Sequence, residues 1–181
     1  MTPARGERPT ESCFRSIASE FAPRLYRQAF HSLGDSQLAA EAVQETLVRV
    51  HGGLQAFRGE CALGTWIYRI AVNVIANYRR RTRNHSIAFV AMGDLQHVID
   101  QGEDIEEAFD RKLESERLAR CIARLSHRES AAITLFYMEG YGYKEIAYML
   151  GTSVDAVGLL LHRGREHLHV LLSGMRERGE L

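Results

Sequence analysis

Apolar residues recur at three- and four-residue intervals along almost the whole chain, and no stretch alternates like a half-buried strand. The pattern predicts an all-α protein. A first helix should run from about Ser16 to Leu33 and stop at the turn signal Gly34-Asp35. A second, with Ser36 as N-cap, puts Leu38, Ala42, Val43, Leu47 and Val50 on one face and ends at Gly52-Gly53. The loop Phe57–Gly64 leads into a third helix, capped by Thr65, whose buried side is Ile67, Ile70, Ala71, Val74, Ile75 and Tyr78. Periodicity fades from Asn84 and returns near Glu106, with Leu118, Ile122 and Leu125 on one face. A helical block over Arg128–Met138 follows Ser126, and Gly140-Tyr141-Gly142 then breaks the chain. A short helix Tyr143–Leu150, a turn at Gly151-Thr152-Ser153 and a last helix from Val154 to about Leu172 complete the reading. It divides the chain into a disordered tail (1–15), a helical domain (16–84), a linker (85–112) and a helix-turn-helix domain (113–175).

Composition narrows the class. The 181 residues are 45% hydrophobic and 25% charged, as in ordinary globular proteins. The longest apolar stretches, such as Val154–Leu161, fall far short of the roughly 20 residues of a membrane span. No signal-like segment opens the chain. Cys13, Cys61 and Cys121 lie far apart without CxxC spacing, which argues against a disulfide framework or a thiolate zinc site. A cytoplasmic protein without membrane insertion is expected.

Formal net charge is zero, yet the charges are segregated. Arg69, Arg79, Arg80, Arg81 and Arg83 stand between Thr65 and His85 with no acidic residue among them. The linker is acidic: Asp94, Asp100, Glu103, Asp104, Glu106, Glu107 and Asp110, followed by Glu114 and Glu116. Arginine outnumbers lysine 21 to two, a bias that suits phosphate and guanine contacts and that GC-rich genomes also produce.

On the third helix Arg69, Asn73, Asn77 and Arg80 form a polar stripe with the groups needed to meet bases and phosphates. A solvated helix face reads equally well. Tyr143–Val157 has helix-turn-helix spacing: Ala147 is small where two helices cross, Gly151 permits a left-handed turn, and Ile146, Leu150, Val154, Val157 and Leu161 supply a shared core. Asp155, Gly158, Leu159, His162, Arg163 and Glu166 then face outward, toward a major groove in a DNA-bound form. A plain packed αα-hairpin is the competing reading. His162, Glu166 and His169 share one helix face, but no fourth ligand, acid–base pair or phosphate loop accompanies them. No enzyme activity, metal or cofactor is expected.

These blocks resemble the extracytoplasmic-function (ECF) group of bacterial sigma factors. Gly34-Asp35 followed by Ala40–Thr46 is similar to that family's conserved region-two helix. Phe57-Arg58-Gly59-Glu60 running into Thr65–Asn73, and the basic Tyr78–Arg81, follow in the same order. In region four the matching blocks are Leu125–Glu129, Glu139–Ala147 and His162–Leu168. The resemblance covers most of Leu25–Leu172.

The resemblance implies a subunit that binds core RNA polymerase and opens promoter DNA. Glu41, Gln44, Glu45 and Arg49 would face polymerase, although Glu45 and Arg49 also read as a simple i,i+4 surface pair. The Phe57–Gly64 loop, with Arg58 and Glu60, would capture a flipped base of the −10 element. Phe57 and Trp66 fit the core better than a base pocket. Arg69, Asn73, Asn77 and Arg80 would contact the −10 element, with Arg79 and Arg81 on phosphates. The acidic linker would correspond to the family's connector, or be a solvated spacer. For the −35 element the candidates are Lys144, Thr152, Ser153, Leu159, His162, Arg163 and Arg165.

Two departures stand out. Gly158, Leu159 and Leu160 occupy positions where the family carries basic or hydroxyl residues; Leu159 can meet a thymine methyl but makes no bidentate base contact. Leu63 and Gly64 replace an aromatic and a larger polar residue before Thr65-Trp66. Members of the family are commonly restrained by an anti-sigma protein, a partner to look for here. The alternative function is a free-standing helix-turn-helix regulator, which would leave the Val43-Gln44-Glu45 helix and the Trp66–Asn73 block without a purpose.

Overall fold

The computed structural model describes residues 11–83 and 105–177, and every regular element within them is helical. The helices are α1 Glu11–Leu33, α2 Ser36–Gly53, α3 Leu63–Arg83, α4 Ile105–Arg124, α5 His127–Ile133, α6 Tyr143–Leu150 and α7 Val154–Glu177. A 3-10 turn, Leu54–Ala56, follows α2, and a π-helical turn, Thr134–Met138, prolongs α5. Of the expected tail, residues 1–10 lie outside the described part, whereas residues 11–15 open α1. Most of the expected linker, 85–104, also lies outside it, and residues 105–112 are the first turns of α4.

Several helix ends differ from the sequence reading for identifiable reasons. Asp35, not Ser36, caps α2: its backbone is extended and its Oδ1 accepts a bond from the Leu38 amide at 2.8 Å. Thr65 does not cap α3, which begins two residues earlier; its hydroxyl is buried and donates to Glu145 Oε1 at 3.3 Å. Ser126 does cap α5, in a capping box with Glu129. Gly151 ends α6 in the left-handed region at φ 59°, as the turn between the two helices of the pair requires. The last helix continues past Leu172 to Glu177, and the Cys121 thiol donates to Met175 Sδ where α7 lies against α4.

Helices α1, α2 and α3 pack on one another as a first lobe around Phe21, Leu25, Ala42, Val50, Ile67, Val74 and Ile75. In the second lobe α5 and α6 pack against α7, burying Ile133, Leu135, Ile146, Leu150, Val157 and Leu161. Gly164 lets α7 come close to α5, for a Cβ there would lie 2.9 Å from Ile133 Cγ1. The lobes also pack on each other: α3 lies against α6, and α1 against α4 and α5, so that one apolar cluster runs through both. No helix among the described residues is long and apolar enough to cross a membrane.

Candidate nucleic-acid interface

The α3 stripe is where its periodicity put it, with Arg69, Asn73 and Arg80 exposed and Asn77 half-buried. Asn73 Nδ2 donates to the Arg69 carbonyl at 2.9 Å, and Arg80 donates to Asn77 Oδ1 at 2.9 Å. Arg81 is exposed and lies over the Tyr78 ring at 5.8 Å. Arg79 is different. Its guanidinium donates to three backbone carbonyls, Ser32 in the first lobe at 2.9 Å and Ala123 and Leu125 in the second at 3.0 and 2.6 Å. The last two belong to the C-terminal turn of α4 and the residue beyond it, where unpaired carbonyls and the helix dipole favour a cation. In this conformation Arg79 is a strut between lobes, with its donors turned inward.

Ahead of α3, the loop forms an open hollow of about 230 Å³ lined by Ala56, Phe57, Arg58, Glu60, Cys61, Trp66 and Tyr148. Phe57 and Trp66 pack at 5.1 Å between ring centroids and are half-buried, so each contributes both to the lobe and to the hollow. Arg58 and Glu60 are exposed at its rim. Tyr148 comes from α6 of the second lobe and also carries the Arg69 guanidinium at 4.6 Å from its ring centroid, a cation–π contact.

On α2, Glu41, Gln44 and Arg49 are exposed and Glu45 is half-buried. Arg49 donates to Glu45 at 2.6 Å, so the expected i,i+4 pair is present, and Gln37 donates to Glu41 at 3.4 Å. Val48, 71% exposed, sits among them and makes the face partly apolar. In the helix-turn-helix, Lys144, Ser153, Leu159, His162, Arg163 and Arg165 are exposed and Thr152 is half-buried. Ser153 Oγ accepts from the Ala156 amide at 3.2 Å, His162 lies 3.5 Å from Glu166, and Arg165 donates to Tyr137 at 3.4 Å. Leu159, 57% exposed, places an apolar side chain at the centre of this face. The described residues contain no cluster of metal-ligating side chains.

The contacts between lobes were not legible in the sequence. Glu139, whose side chain is only 1% exposed, accepts bonds from Arg24 at 2.8 Å, Arg27 at 2.9 Å and Tyr68 at 2.6 Å. All three donors come from the first lobe. The π turn delivers this carboxylate: the Glu139 amide bonds back five residues to Thr134, and Gly140 turns away at φ 74°. Burial works against the Arg24 charge, but the Glu139 carboxylate outweighs it and raises the Arg24 pKa. Burial, reinforced by the bond to Glu139, pushes the Tyr68 phenol far up, and burial raises Tyr141 to about 12. The rings of Tyr68 and Tyr141 meet edge to face at 5.1 Å. A Cβ at Gly64 would stand 2.8 Å from the Tyr141 hydroxyl, so the glycine departing from the family pattern is the one that admits Tyr141.

Comparison with known proteins places this arrangement in a class. Residues 17–85 match the family described as Sigma-70 region 2, and residues 115–168 match Sigma-70, region 4. The ECF RNA polymerase sigma factor SigM of Mycobacterium tuberculosis is 30% identical over 82% of this chain and 71% of its own. The RNA polymerase sigma factor YlaC of Bacillus subtilis is 28% identical over 92% of this chain and 94% of its own. In fold, the chain is similar to the sigma factor RpoE solved in complex with the anti-sigma factor NepR from Bartonella quintana. That likeness has a TM-score of 0.68 at 22% identity, covering 88% of this chain and 96% of the other. The chain belongs to the ECF family of RNA polymerase sigma factors, which bind RNA polymerase and direct transcription initiation through regions 2 and 4 and are not enzymes.

Proposed function

We propose that the chain is a dissociable, cytoplasmic initiation subunit whose three exposed polar faces have separate tasks. Glu41, Gln44, Glu45 and Arg49 on α2 meet core polymerase, where a polar rim around exposed Val48 suits a protein contact. Arg69, Asn73, Asn77, Arg80 and Arg81 on α3 engage the −10 element, with Arg79 joining them when the lobes separate. Arg58 and Glu60 guard the hollow that takes a flipped base; a few kcal/mol of unstacking is recovered by contacts inside such a pocket. On the helix-turn-helix, Leu159, His162 and Arg163 read the −35 element while Lys144, Thr152, Ser153 and Arg165 hold its phosphates.

The observation that carries this reading is the continuous acid-free face of α3 opening directly onto the aromatic-walled hollow. An anti-sigma protein is a further partner, supported by the complex in which the fold relative RpoE was solved.

Run-off transcription of fragmented host DNA with core polymerase, with and without the protein, tests it through the RNA 5′ ends. New starts sharing two spaced upstream motifs are the expected result. DNA binding without new starts would replace the reading with a free-standing regulator.

A further inference from the structure

We propose that the outer face of the helix-turn-helix carries an apolar seat for the C5-methyl group of a pyrimidine, so that the −35 element is chosen by that methyl as well as by hydrogen bonds. The proposal rests on the assignment of this face to the −35 element.

The seat surrounds a residue that has no side chain. Tyr143, the first residue of α6, lays its ring beside Gly158 of α7: a Cβ built there would stand 3.8 Å from Tyr143 Cε2. Leu159 follows Gly158 in the chain, and Val154 lies one helical turn before it on the same side of α7. Tyr143, Val154 and Leu159 are 40%, 41% and 57% exposed, so apolar groups meet solvent on several sides of one gap. The Tyr143 ring is held in place, because Phe136 meets it edge to face at 5.4 Å between centroids. A side chain already fixed in this way loses little freedom when it enters a contact. An alanine at position 158 would fit beside the ring, whereas a longer side chain would push it aside.

Chemistry selects the occupant. Lys144 beside Tyr143 and Arg163 one turn beyond Leu159 are exposed cations that draw a polyanion to the patch. Asp155, one turn before Leu159, is exposed as well and repels phosphate, which turns the centre of the face toward base edges. A donor or acceptor pressed against Leu159 would lose water and gain no partner. The major-groove edge that fits is a pyrimidine whose C5 carries a methyl. Thymine and 5-methylcytosine share that group and differ at position 4, where the first has an acceptor and the second a donor that Asp155 can meet.

Promoter duplexes found by run-off transcription supply the probes. Single thymines of the −35 element are replaced by uracil, which lacks only the methyl, and single cytosines by 5-methylcytosine. Competition binding is measured with the chain assembled on core polymerase. At a position of the element the parent should lose about fourfold in affinity with uracil, or gain about fourfold with 5-methylcytosine, the value for one buried methyl. A response to uracil identifies thymine as the source, and a response to 5-methylcytosine identifies the modified base. Leu159→Ala, an exposed substitution that should melt with the parent, should remove the preference at that position and keep those elsewhere in the element. Tyr143→Phe should retain it, since the ring remains, and Gly158→Gln should lose it by displacing the ring. If neither base change alters affinity at any position while Arg163→Ala still weakens binding, the face reads DNA without the methyl and the proposal is overturned. A full preference surviving in Leu159→Ala overturns it too. If Arg163→Ala and Leu159→Ala both leave −35 binding unaltered, the assignment of the face fails, and the proposal with it.

Discussion

Two adjacent arginines on α3 have opposite surroundings. Arg79 is half-buried with its donors on three backbone carbonyls, whereas Arg80 is exposed and donates to Asn77 on its own helix. Removing a buried donor strands its acceptors, at roughly 1–3 kcal/mol for each group left unsatisfied. Arg79→Ala should therefore lower the free energy of unfolding by at least about 2 kcal/mol in urea titrations. Arg80→Ala should leave it within about 0.5 kcal/mol, as an exposed substitution does, while weakening DNA binding and reducing the salt slope by about one. Equal effects of the two on stability would refute the strut assigned to Arg79. Sequence could not separate these residues: both are basic, both follow a polar stripe, and the carbonyls that claim Arg79 lie more than forty positions away.

At the scale of elements, legibility followed punctuation. Helix α6 ends where Gly142 and Gly151 said it would, and α5 starts at the Ser126 capping box, because those signals are local. The π turn Thr134–Met138 left no such mark, since an apolar run reads the same whether its backbone bonds span four residues or five. Thr65 resembled a cap because its chemistry fits one; its partner, Glu145, belongs to another helix. The Ser126 cap should be worth about 1 kcal/mol, the loss expected for Ser126→Ala in a denaturant melt. Gly164 has the larger effect. A side chain there meets Ile133 in the packed core, and Gly164→Val should cost about 1–3 kcal/mol as overpacking. If Gly164→Val were as stable as the parent, the close approach of α5 and α7 would be wrong.

For the whole molecule, the sequence resolved two helical lobes and the basic face of one of them, but not that the lobes touch. Their contact depends on side chains such as Glu139, Tyr141 and Tyr148 that carry no periodic or motif signal for it, and on a carboxylate that only the fold makes buried. Two buried histidines give the molecule an acid response. Burial, with Arg27 nearby, holds His31 at about 4, and burial, with Arg79 and Arg128 nearby, holds His127 at about 4, against an ordinary 6.5. Between those values the unfolded chain binds more protons than the folded one, so stability must rise with pH across that window and fall as pH drops through it. Glu129 adds to the loss at lower pH: although its burial opposes ionisation, bonds from Ser126 and His167 hold its carboxyl below the usual range. Going from pH 7.5 to pH 5 should therefore remove on the order of 2 kcal/mol of stability for each histidine. Urea midpoints across that range check the total, and His127→Ala should remove roughly half of the slope while leaving the direction unchanged. A flat profile from pH 7.5 to 5 would mean that neither imidazole is kept from water.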